Sequence, residues 1–250
     1  LFSIPMLRNV DQKYYLEGRP ERMVSAAFSN VAHTLRDIVK NKGLFCYVIA
    51  YFCYIDGVGT VIHMSTSYGS TLGLDTVGMI LALLVTQIVA MPCSILFGRL
   101  AKKLGAVRMI GIAIAIYFLI CVVGFYMGYI IEVDESAVGT AQVLFWMMAF
   151  LVGTVQGGIQ ALSRSYFSRL VPPDKSNEYF GFFDIFGKFA TVVGPFLVAA
   201  VTGLTGRSSF GILSLLVLFA VGGLILFLGR SQLKASEEAA EAARKAAERS

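Results

Sequence analysis

Charge is scarce in this chain: Asp, Glu, Lys and Arg together make up 15% of its 250 residues, whereas hydrophobic residues make up 56%. A mean hydropathy of +0.72 goes with that composition, and together they exclude a water-soluble domain of this length. Cysteine offers no framework either. Cys46, Cys53, Cys93 and Cys121 form no C-x-x-C pair and all lie in apolar runs, so they read as small packing residues rather than disulfides or metal ligands. There is no H-E-x-x-H. The stretch "GFFDIFGKF" separates Gly181 from Gly187 by five residues instead of four and follows Lys188 with Phe189, which excludes a phosphate loop. No serine carries an elbow or oxyanion signature. The chain therefore reads as a non-enzyme with no metal and no cofactor. No signal peptide is visible, and the opening "LFSIPM" lacks an initiating Met, so a piece of a longer chain is expected.

What is present is long apolar runs. Six are found, at Leu44–Tyr68, Val77–Leu100, Met109–Ile131, Ala141–Leu162, Tyr179–Gly203 and Phe210–Leu228. Each is near the roughly 20 residues that a helix needs to cross about 30 Å of hydrocarbon. Backbone groups cannot stay unpaired there, so the runs are transmembrane helices. Of the 21 basic residues, seven precede the first run, four border the second connection, three sit in the fourth and five follow the last run. The first and third connections have none and the fifth has only Arg207. This alternation follows the positive-inside rule and predicts that both ends of the chain are cytoplasmic. It also accounts for the net charge of +5 without a nucleic-acid partner.

Three regions follow. Residues 1–43 form a charged cytoplasmic segment whose second half places Val24, Phe28, Val31, Leu35, Ile38 and Val39 near helical spacing, with Arg22, Arg36 and Lys40 opposite. That pattern predicts an amphipathic helix on the membrane surface or against cytoplasmic loops. Residues 44–229 form the six-helix domain. Residues 230–250 form a charged cytoplasmic tail, rich in Ala, Glu, Lys and Arg and without an apolar stripe, expected to be a solvated or frayed helix.

Polar residues inside the runs keep phase. Asp56, Thr60, His63 and Ser67 follow at intervals of four, three and four; Gln156, Gln160 and Ser163 do the same in the fourth run, and Asp184, Lys188 and Thr191 in the fifth. The third and sixth runs carry almost nothing polar. Because polar side chains are driven toward a bundle interior or a wet cavity, helices one, four and five are expected to line a path and helices three and six to face lipid. Two groups of three helices satisfy this pattern.

That arrangement resembles the C-terminal half of a major facilitator superfamily transporter, a fold built from such repeats. In "FGRLAKKLGAVR", Gly98, Lys103, Gly105 and Arg108 resemble the superfamily's short loop motif, with Lys102 at the usual Asp position and Ala106 in place of a basic residue. "YIDGVGTVI", "GGIQALSRSYFSRLVP" and "EYFGFFDIFGKFATVVGP" resemble the unknown-major-facilitator branch, whose best understood members are similar to vacuolar amino-acid effluxers. Its usual Tyr-Asn-Asp-Gly stands here as Tyr54, Ile55, Asp56 and Gly57. The likeness covers roughly Met23 to Arg230. It implies secondary active transport of a small solute, with amino acids a candidate, by alternating access between two halves. The partners implied are a missing N-terminal six-helix half or a second copy, the lipid bilayer and protons. It also implies a multi-pass protein of the plasma or inner membrane in a bacterium, or of a vacuolar or other organelle membrane in a eukaryote. A non-transporting six-helix receptor or scaffold is the alternative.

The candidate substrate-binding or proton-coupling residues are Asp56, Thr60, His63, Gln156, Gln160, Asp184 and Lys188. Asp56 and Lys188 fall near the midplane by helical rise, where an unpaired charge costs at least about 2.5 to 3.5 kcal/mol on insertion scales. Lys188 has three possible partners: Asp184 on its own helix, Asp56 on the first, or a solute carboxylate. Asp56 would attract an amine or, like His63, exchange a proton. Conformational roles fall to Gly98, Lys103, Gly105 and Arg108 in the loop motif, and to Gly194 and Pro195, where the missing backbone donor should bend the fifth helix.

Overall fold

The structure is a computed structural model that describes residues 33–172 and 176–247. Six helices are long and apolar enough to cross a membrane: α1 (Lys42–Thr71), α2 (Thr76–Leu104), α3 (Ala106–Val133), α4 (Val138–Leu170), α5 (Ser176–Thr205) and α6 (Ser208–Leu228). A charged helix α7 (Arg230–Ala247) follows, a 3₁₀ turn (Glu135–Ala137) precedes α4, and no strand occurs among the described residues. Helices of 30 residues such as α1 and α5 run about 45 Å at 1.5 Å per residue, longer than the hydrocarbon alone requires.

Short side chains start these helices. The Asn41 side chain accepts from the Leu44 amide at 3.2 Å, and Asp75 from the Gly78 amide at 2.6 Å, each satisfying a donor that the first helical turn leaves open. Gly105 is the single residue between α2 and α3, at φ +90°. An L side chain rarely adopts that backbone, so this turn requires glycine. The other members of the loop motif are not so constrained. A Cβ on Gly98 would meet nothing within 4 Å, and Lys103 and Arg108 are exposed.

The helices cross between the two groups of three more than within them. α1 packs on α5 and α6, while α4 packs on α2 and α3, so the first helix of each group is held by the second and third helices of the other. Along the α2–α4 seam the small surface of α4 admits α2: Gly153 faces the Thr86 carbonyl, Gly157 faces Ser94 and Gly158 faces the Phe97 ring. Thr86 completes the seam by donating to the Ala149 carbonyl at 3.0 Å. α1 meets α4 through a buried polar network. The Tyr47 hydroxyl donates to the Ser163 carbonyl at 2.8 Å, and the Tyr54 hydroxyl lies 2.7 Å from the Ser163 hydroxyl, which itself donates to the Ile159 carbonyl.

Helices α3 and α6 depart from the expectation that they simply face lipid. They pack on each other, with Tyr117 stacked on Phe219 at 5.5 Å between ring centroids. The most apolar window of α3 is 44% buried and that of α6 33%, against 17% in α2 and α5. Low polarity in these two helices therefore marks a packed back wall as much as a lipid face. Polar scarcity alone cannot separate the two, since Leu and lipid tails are equally apolar.

The tail also differs from the solvated or frayed helix expected of it. α7 docks on α1 and α4, with Leu233 and Ala240 buried. Ser236 donates to the Asn41 side chain at 2.8 Å, and Arg169 pairs with Glu237 at 3.6 Å. A few small or apolar side chains suffice because Gly43 lets α7 lie directly on the start of α1. The amphipathic stretch expected before α1 lies outside the described residues up to residue 32. In residues 33–40, which are helical, Thr34 and Ile38 are buried and Leu35 and Val39 exposed. The contact with the rest of the domain therefore runs through Thr34 and Ile38 at i,i+4, and Leu35 and Val39 lie on the uncovered side.

Candidate functional site

A cavity of about 430 Å³ opens between α1, α4 and α5, within the range of roughly 300–1,000 Å³ typical of small-molecule sites. Tyr51, Ile55, Val58, Gly59 and His63 form its α1 wall, Gln160 and Arg164 its α4 wall, and Asp184, Gly187, Lys188 and Thr191 its α5 wall. No residue of α3 or α6 lines it. The polar intervals of α4 and α5 are what aim these groups inward: Gln160 and Arg164 are one turn apart, as are Asp184 and Lys188.

The cavity's charges divide unequally. Arg164 of α4 makes an ion pair with Asp184 of α5, so the two helices are bridged by opposite charges. Lys188 makes no ion pair among the described residues. Its backbone carbonyl accepts from the Thr191 hydroxyl at 2.7 Å, while its ammonium is exposed at the cavity. Of the three partners considered for Lys188, Asp184 is engaged by Arg164 and Asp56 lies elsewhere. Around the bridge, aromatic rings close ranks: Tyr51 stacks on Phe183 at 4.0 Å and Phe167 on Phe183 at 4.2 Å, joining α1, α4 and α5 beside the Arg164–Asp184 pair.

Asp56 and Thr60 are not in the cavity wall. Both are buried and face α5 at Gly194, where a Cβ would lie 3.1 Å from Asp56 Oδ1 and would strike the Thr60 hydroxyl. The Asp56 carboxylate faces the Gly194 backbone and has no side-chain hydrogen-bond partner among the described residues; the Thr60 hydroxyl donates to the Asp56 backbone carbonyl at 2.8 Å. The residue beside Asp56, Ile55, does line the cavity. One residue step turns about 100° around a helix, and that step separates the cavity side of α1 from the side covered by α5. Gln156 lines a neighbouring space of about 50 Å³ between α1, α2 and α4, with Thr86 and Gln87. The structure thus brings His63, Gln160, Asp184 and Lys188 together and leaves Asp56, Thr60 and Gln156 outside.

Gly194 and Pro195 sit in the middle of this arrangement. Gly194 permits the close approach of α5 to Asp56 and Thr60. Pro195 lies inside α5, where its nitrogen cannot bond the carbonyl four residues back. Sequence reasoning missed Arg164 as a site residue because its charge was absorbed into the count of cytoplasmic basic residues. Its i,i+4 relation to Gln160 was the available signal.

Six helices long and apolar enough to cross a membrane, in two interlocked groups of three, thus border a polar cavity that carries Lys188. The chain belongs to the family described as "Vacuole effluxer Atg22 like", which it matches over residues 1–240. It is 45% identical over 226 residues to the uncharacterized MFS-type transporter YxiO of Bacillus subtilis (strain 168), covering 90% of this chain and 50% of that protein. It is 24% identical over 258 residues to Autophagy-related protein 22 of Eremothecium gossypii, covering 97% of this chain and 49% of that protein. With the Botryotinia fuckeliana protein of the same name, identity is 27% over 201 residues, covering 76% and 33%. The chain spans about half the length of the first two relatives. No solved structure matches it. It is an integral multi-pass membrane protein.

Proposed function

We propose that this domain is one half of a secondary active transporter that moves a small carboxylate-bearing solute, such as an amino acid, by alternating access. The observation that carries this reading is Lys188: a cation on the wall of a solute-sized cavity that makes no ion pair among the described residues, the cavity's one acid, Asp184, being paired with Arg164. A solute carboxylate would supply the missing charge, and His63 and Gln160 would complete the hydrogen bonding of a polar solute. The cavity's remaining wall would come from a second six-helix half, a reading supported by relatives twice as long. Asp56, buried at the α1–α5 crossing beside Gly194 and Pro195, is then a candidate for proton coupling at a distance from the solute.

The test is uptake by the complete transporter in liposomes, with and without a pH gradient, comparing amino acids with the amines that lack their carboxyl group. Amino acids should be accumulated and the amines excluded; equal handling of both would remove the carboxylate reading. A second expectation concerns the bridge between α4 and α5. Arg164 and Asp184 are 58% and 51% exposed, so breaking the pair should change stability by less than about 1 kcal/mol. As a positional device, however, it should matter to transport. Arg164→Asp and Asp184→Arg should each depress uptake, and the double exchange should restore a good part of it. If each single variant transports like the parent, the bridge has no positioning role.

A further inference from the structure

Sharing no residue with the solute cavity, a groove of about 480 Å³ runs between the beginning of α3 and the end of α6. Its depth is apolar, lined by Gly111, Ile112, Ala115 and Phe227, with the small surface of Gly111 leaving open space where a Cβ would stand. Its rim is not apolar. Arg108 stands two residues after the start of α3 and Arg230 two residues after the end of α6, and both line the groove. The Arg230 guanidinium rests over the Phe227 ring, 4.6 Å from its centroid, a cation–π contact that holds it at the mouth.

At the same end of the domain, Arg164 pairs with Asp184, Arg169 with Glu237, Lys234 with Glu238 and Lys245 with Glu241. Arg108 and Arg230 make no ion pair among the described residues. Arg99, Lys102 and Lys103 are likewise without an ion pair among the described residues, but of the unpaired basic residues only Arg108 and Arg230 line the groove. These two charges flank the ends of two membrane spans, where charged side chains meet lipid headgroups, and the apolar groove runs about 12 Å along α3 from Val107 to Ala115 at 1.5 Å per residue. A charged mouth over an apolar slot matches one kind of molecule in its surroundings.

We propose that this groove binds an anionic phospholipid of the surrounding bilayer, with its phosphate held between Arg108 and Arg230 and an acyl chain laid along Gly111 between α3 and α6. Guanidinium groups suit the role, since each presents a planar fork of donors to phosphate oxygens, and basic pockets between transmembrane helices select anionic headgroups. Because α3 and α6 pack across the two groups of three, a lipid wedged between them would brace the back wall behind the solute cavity.

The test is native mass spectrometry of the purified protein in detergent, titrated with phosphatidylglycerol or phosphatidylcholine of the same acyl chains. Phosphatidylglycerol should be retained about tenfold better, because both lipids offer the same phosphate but the choline cation of phosphatidylcholine is repelled by the two guanidinium groups, and the preference should vanish in an Arg108→Ala, Arg230→Ala double variant. Gly111→Leu, which keeps both arginines and fills the groove, should reduce retention of both lipids. Lys102→Ala with Lys103→Ala removes equal charge outside the groove and should leave the preference intact. Equal retention of the two lipids, a preference that survives the double Arg variant, or its equal loss in the Lys control would each overturn the proposal. So would displacement of the lipid by inorganic phosphate, or a second copy of the chain occupying the groove as a dimer in the absence of lipid.

Discussion

Replacing Lys188 with Gln is expected to reduce uptake of a carboxylate-bearing solute by roughly 10- to 150-fold. That range follows from loss of one charged hydrogen bond, about 1.5–3 kcal/mol, at 1.4 kcal/mol per factor of ten. The effect should be this large because the only other Lys or Arg lining the cavity, Arg164, is already committed to Asp184. The protein should remain folded, since the ammonium makes no ion pair whose loss would strand a buried acid. Uptake in liposomes at several solute concentrations checks it, with the loss expected mainly as a raised KM. Parent-like uptake across all concentrations would mean that Lys188 is only a solvated cavity charge.

The largest effect on stability is expected at the α2–α4 seam. A Cβ on Gly153 would lie 2.9 Å from the Thr86 carbonyl oxygen and 3.0 Å from the Val89 Cβ. Backbone cannot rotate out of the way as a side chain can, so Gly153→Leu must push the two helices apart. Overpacking of this kind costs about 1–3 kcal/mol, and more where the obstruction is rigid. The seam also carries the Thr86 bond to the Ala149 carbonyl, which separation would break. Thermal unfolding in detergent should show the loss. Gly98→Ala is the matched control: nothing lies within 4 Å of its Cβ, so it should be neutral or stabilising by about 0.5–1 kcal/mol. If both variants melt with the parent, α2 and α4 do not pack at Gly153.

Some of the site was legible before any coordinates. The intervals joining Gln160 to its helix neighbours and Asp184 to Lys188 are properties of helical pitch, and pitch is local. What pitch cannot supply is the direction each stripe faces. Asp56, Thr60 and His63 span a narrow arc on α1, yet the structure buries the first two against Gly194 and leaves His63 exposed at the cavity. The boundary between those environments is drawn by where α5 crosses α1, and nothing in the α1 sequence encodes that crossing. Arg164 was hidden for a related reason. A basic residue near a helix end serves orientation and pairing equally well on paper, and only the approach of Asp184 distinguishes them.

The sequence by itself determined the solvent and the spans. Burial of apolar side chains in hydrocarbon is a residue-by-residue gain, and the obligation to pair every backbone group inside the bilayer leaves a helix as the outcome. Hence the run read as Leu44–Tyr68 became α1 at Lys42–Thr71, and Phe210–Leu228 became α6 at Ser208–Leu228. Only the tertiary structure decided which helix meets which. It placed Arg164 against Asp184, left Lys188 without an acid, turned Asp56 away from the cavity, and laid α7 across the start of α1. Those outcomes depend on shape at the seams, such as the close approaches that Gly153, Gly194 and Gly43 permit. In a medium as apolar as the side chains themselves, packing geometry rather than hydrophobicity chooses the partners.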